Sequence, residues 1–117
     1  MAALQSPSTR MPRRPGIEPP TRYQYALMLA LSGAGARLRR YGFMQSEEDK
    51  HLAGRAQVLA PDSGMDRALL PGYTAARLLR AGYVEVIDSV AHFSTHYTDY
   101  MLTDHGRRVV AAYSRNA

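Results

Sequence analysis

The chain has 117 residues, room for one domain, and an apolar fraction of 45% that permits a modest core and is too high for a wholly disordered chain. With no cysteine, a disulfide scaffold, a thiolate zinc site and a cysteine nucleophile are excluded. The longest purely apolar run, Tyr25 to Leu31, is far short of the roughly 20 residues that span a bilayer; the net charge of +5, carried by Arg except for Lys50, invites a polyanionic partner.

The charge is patchy. Residues 1–45 hold Arg10, Arg13, Arg14, Arg22, Arg37, Arg39 and Arg40 against Glu18 alone, whereas residues 83–102 hold Glu85, Asp88 and Asp99 with no Lys or Arg. Residues 1–20 contain five of the seven prolines and no hydrophobic period, the composition of a disordered basic arm. An Arg-rich, nearly acid-free start also has the look of a transit peptide, but its prolines and Glu18 do not suit an amphipathic presequence. A cytoplasmic protein without a membrane anchor is the expectation.

From residue 21 the elements follow in order. Thr21 and Gln24 have the spacing of a capping box, and Tyr23, Leu27 and Leu31 keep one face of a helix from Arg22 to Ser32. Gly33 and Gly35 weaken that helix, so Arg37-Leu-Arg-Arg40 reads as its last basic turn or a short second piece. Ser46 before Glu47, Glu48 and Asp49 marks a second helix start, with Leu52, Ala56 and Leu59 as its stripe and Pro61 to Gly64 as its stop. A short helix from Met65 to Leu70 precedes Pro71-Gly72, and a further one from Tyr73 to Ala81 closes on Gly82. The period then changes to two: Tyr83 to Asp88 and His96 to Leu102 read as a hairpin joined by a seven-residue loop. Thr103 caps a final helix, about residues 104–115, with Gly106, Val109, Val110 and Tyr113 on one face.

Two phrases carry a family resemblance. Ala76-Arg-Leu-Leu-Arg-Ala-Gly-Tyr-Val84 resembles the passage from third helix to first wing strand of winged helix-turn-helix proteins, usually Leu-x-x-x-Gly-Leu-Val. Tyr100-Met-Leu-Thr-Asp-His-Gly-Arg107 resembles the Tyr-x-Leu-Thr-x-x-Gly-Arg phrase with which MarR-like and PadR-like regulators leave the wing. The resemblance implies an α+β, mainly α, winged helix-turn-helix domain over residues 21–117, behind the disordered arm. It further implies a small transcriptional regulator without a cofactor, binding DNA as a homodimer. Its third helix would enter the major groove and offer Tyr73, Thr74, Arg77 and Arg80, with Arg37, Arg39 and Arg40 as added basic contacts. Tyr23, Leu27, Val109 and Tyr113 on the terminal helices are the matching dimer candidates.

The wing departs from the family in charge, since its three acids would be repelled by phosphate. That motivates an alternative from another class, a protein-interaction module whose wing presents Asp88, Asp99, Phe93, Tyr97 and Tyr100 to a protein partner. His92, His96, Asp99, Asp104 and His105 have metal-ligand chemistry. On a strand, however, residues 92 and 96 would stand about 13 Å apart, too far to share an ion. No nucleophile elbow or Gly-rich phosphate loop is present, so no enzyme is expected.

Overall fold

The computed structural model describes residues 19–60, 68–91 and 95–115. The basic arm up to residue 18, the stop at Pro61 to Gly64, residues 65–67 of the expected short helix, and His92 and Phe93 lie outside them. The elements are α1 (Arg22–Leu31), β1 (Arg37–Met44), a 3-10 turn (Lys50–Leu52), β2 (Arg55–Leu59), β3 (Leu70–Pro71), α2 (Tyr73–Arg80), β4 (Val84–Ala91), β5 (Thr95–Leu102) and α3 (Asp104–Arg115). The strands form one antiparallel sheet in the order β3-β2-β1-β5-β4.

This corrects the expected architecture. The chain is α+β with a five-stranded sheet, about 38% helical and 36% strand among the described residues, and so is not the mainly α winged helix-turn-helix read from the sequence. The reversal lies in residues 37–59. Arg37-Leu-Arg-Arg40 opens β1, and the expected second helix shrinks to one 3-10 turn followed by β2. Gly54, with φ of +76°, breaks the helical path at a conformation that costs other residues strain. Beyond it Ala56 and Val58, not Ala56 and Leu59, are the buried pair, which is a strand's period of two. The Ser46 hydroxyl accepts from the Glu48 amide in a local turn and caps no α-helix. Leu70, the end of the expected short helix, pairs with Ala56 as part of β3.

The flanking elements form as the sequence dictates. Thr21 and Gln24 close the capping box reciprocally, each side chain holding the other's amide at 3.0 Å. Leu27, Met28 and Leu31 of α1 are buried, while Tyr23, expected on that face, is largely exposed. The hairpin is longer than expected, with strands reaching Ala91 and starting again at Thr95, so only residues 92–94 remain between them. A single core gathers α1, Ala75 and Leu78 of α2, and Val110 of α3. They meet Leu38, Ala56, Val58, Val84, Tyr100 and Leu102 of the sheet, with Tyr83 beside them. All three helices therefore lie on one face of the sheet, and the alternation of β1 turns Arg37 and Arg39 to the opposite face. No described helix is long and apolar enough to cross a membrane.

Candidate nucleic-acid interface

The segment Tyr73–Arg80 becomes a helix because it has good helix formers between Gly72 and Ala81 and a clean exit. The Tyr83 amide donates to the Leu78 carbonyl at 3.0 Å and Gly82 to Leu79 at 3.0 Å, a closure that requires the positive φ of +81° at Gly82. Thr103 ties this exit to α3: its hydroxyl donates to the Gly82 carbonyl at 2.7 Å and accepts from the Gly106 amide at 2.9 Å. A Cβ at Gly106 would collide with the Tyr83 carbonyl, so glycine is what lets α3 sit against the start of β4. The two phrases singled out in the sequence thus meet at one joint, which holds the orientation of α2 relative to the sheet.

Helix α2 buries Thr74, Ala75 and Leu78 and exposes Tyr73, Ala76, Arg77, Leu79 and Arg80. Leu79 is 42% exposed, since the buried stripe passes through Leu78. Tyr73, Arg77 and Arg80 follow the i, i+4, i+7 spacing of one outer stripe. The Arg77 guanidinium sits 4.4 Å from the Tyr73 ring centroid, a cation–π contact that stiffens both side chains. Arg40 approaches the start of the same helix: a Cβ on Gly72 would lie 3.6 Å from its Nε. Arg40, Arg77 and Arg80 make no ion pair among the described residues.

Thr74 is removed from the reading set, because it is 3% exposed and cannot reach a phosphate. Thr74 instead lines a small pocket of about 70 Å³ between α1 and α2, together with Thr21, Tyr23, Gln24, Tyr73 and Arg77. Its hydroxyl has no hydrogen-bond partner among the described residues, a deficit that costs about 1–3 kcal/mol unless the pocket supplies one.

Arg37 and Arg39 stand apart from this group, on the helix-free face. Both close over Asp99 of β5, with Arg39 gripping it through Nε at 2.8 Å and Nη2 at 3.0 Å and Arg37 through Nη1 at 3.0 Å. Burial by itself raises the Asp99 carboxyl, and the hydrogen bonds from Arg39 and Arg37 more than offset it, holding the group below its ordinary value. The same bond raises the Arg39 guanidinium above its ordinary value. Arg39 also lies 3.8 Å from the centroid of the Tyr97 ring. The seven residues expected to contact nucleic acid therefore divide: Tyr73, Arg77 and Arg80 lie on the outer stripe of α2, Arg40 approaches the start of that helix from β1, Arg37 and Arg39 form an ion cluster elsewhere, and Thr74 is internal.

The expected wing surface fares similarly. Asp99 is wholly buried, Tyr100 is 7% exposed within the core, and Tyr97 lies half-buried under Arg39, which leaves Asp88 in solvent. Val86 is 50% exposed on the edge strand β4. Among the described residues no three His, Asp or Glu side chains converge on a point; His105 stacks on Tyr83 at 5.5 Å. Of the terminal-helix residues expected at a dimer surface, Leu27 is spent in the core, whereas Tyr23 and Tyr113 are exposed. No family model, curated protein or solved structure matches the chain.

Sequence reasoning missed the Asp99 cluster. Its signal was the pair Arg37 and Arg39 two residues apart, which share a face only if the segment is a strand.

Proposed function

We propose that the chain binds DNA through the outer stripe of α2, as a small transcription regulator does, with Arg40 extending the contact at the helix start. The observation that supports this reading is the set of uncompensated cations: Arg40, Arg77 and Arg80 share one side of the molecule, α2 contains no acid, and none of the three has a carboxylate partner among the described residues. An α-helix with its side chains is about 10–12 Å across, which a major groove about 12 Å wide admits. Arg77 and Arg80 also complement the negative end of the α2 dipole, a role that one arginine would fill. Tyr73 braces Arg77, so less side-chain freedom is lost when the guanidinium meets a phosphate or a guanine edge.

The test is titration of labelled duplexes, genomic and random, over a series of salt concentrations. Affinity should fall linearly in log–log form with salt, and removing one phosphate contact should reduce the slope by about 1. If the triple change of Arg40, Arg77 and Arg80 to Ala leaves binding as it was, or the intact chain fails to bind at low salt, the reading is wrong.

A further inference from the structure

The helix-free face of the sheet has a charge pattern of its own. Side by side across β2, β1, β5 and β4 run Gln57, Arg39, Asp99 and Asp88, by the register Arg39↔Gln57, Arg39↔Asp99 and Asp88↔Asp99. By alternation Leu59, Arg37, Met101 and Glu85 flank this row on one side, and Arg55, Tyr41, Tyr97 and Val90 on the other. Asp99 is satisfied within the face by Arg37 and Arg39. What remains is an excess of positive charge on the β2–β1 half, including exposed Arg55, and exposed Glu85 and Asp88 on the β4 half. Neither Arg55, Glu85 nor Asp88 makes an ion pair among the described residues.

We infer that this face is a self-association surface, on which a second copy of the chain stacks its own helix-free face about a two-fold axis running along the strands. Rotation about that axis lays the basic half of each protomer over the acidic half of its partner, so one patch satisfies both requirements of an isologous contact. A two-fold axis across the strands would instead set basic on basic, and charge selects against it. The pattern favours a second copy over nucleic acid as the occupant, because Glu85 and Asp88 repel phosphate along one entire half. Its composition also suits an interface, with the partly exposed Tyr97 and Met101 and three arginines on one surface. Two sheets stacked at about 10 Å would leave Asp99 and its arginines central and the unpaired charges towards the sides. The surface is separate from the α2 stripe, and the inference stands or falls without the DNA reading.

Charge exchange tests it. Sedimentation of the intact chain should show a dimer at tens of micromolar that weakens as salt is raised. Arg55→Glu and the double change Glu85→Lys with Asp88→Lys should each weaken self-association at least tenfold, the first because it cancels the net positive charge of one half and the second because it makes both halves positive. Mixing the two variants should restore a one-to-one dimer, which a folding defect cannot mimic, and Arg77→Ala should leave the dimer unchanged. A monomeric intact chain, variants that dimerise as the parent does, or a mixture that stays monomeric overturns the inference. So does finding that Arg55→Glu abolishes binding of a single-stranded oligonucleotide by a monomer, which would place nucleic acid on this face.

Discussion

On the helix-bearing side of the molecule Arg40, Arg77 and Arg80 stand without a carboxylate, whereas on the bare side Arg37 and Arg39 close over a wholly buried Asp99. The same residue type does different work in the two places. Beside Asp99, arginine satisfies an acid that burial would otherwise neutralise, and its removal exposes the fold to that cost. Along α2 it meets no acid and only complements the helix dipole, so its removal should cost little stability and be visible in binding. Arg39 and Arg40 adjoin in sequence and fall on opposite sides of this division.

The largest expected effect is at the centre of the bare side. Asp99→Asn keeps the shape but strips the charge that holds two guanidinium groups together, and should lower stability by roughly 3 kcal/mol in urea unfolding. The parent's acid limb carries the same information. Because the folded-state carboxyl lies below its ordinary value, its contribution is complete above about pH 4 and is lost as pH falls through the folded value. The Asn variant should show a flatter decline over that range; an equally steep one would remove the cluster from the stability account. Next, Thr103→Val should cost about 1.5 kcal/mol by breaking the joint between α2 and α3, measured by thermal unfolding.

Arg77→Ala should shift stability by less than about 0.5 kcal/mol and lower duplex affinity about tenfold, or about 1.4 kcal/mol. A larger stability change than binding change would erase the distinction between the two sides. The smallest effect falls to Arg37→Ala. Arg37 is half exposed and Arg39 keeps its two-pronged grip, so the stability loss should stay under about 1 kcal/mol with no change in duplex affinity.

Local chemistry was legible where neighbours in sequence settle the matter. The Thr21 capping box, the Gly82 exit and the Thr103 cap take the form their residues call for, since each involves partners a few positions away, and β4 and β5 form the expected hairpin although an irregularity between Val86 and Asp88 interrupts its alternation. Residues 37–59 were misread because their apolar positions fit a helical stripe through Leu52, Ala56 and Leu59 as well as a strand through Ala56 and Val58. That misreading also merged the candidate site. As a helical turn, Arg37, Arg39 and Arg40 would form one basic patch; as a strand, they separate onto two faces.

By itself the sequence determined a cysteine-free, Arg-rich chain, the helices at 22–31, 73–80 and 104–115, the hairpin between the last two, and the stripe of Tyr73, Arg77 and Arg80. Only the tertiary structure decided that residues 37–44 join β5 at the centre of a five-stranded sheet, because strand pairing depends on residues some sixty positions away. That pairing turned an acid expected on an exposed wing into the buried anchor of two arginines, and it left Arg40 and α2 with the free charge on the other side.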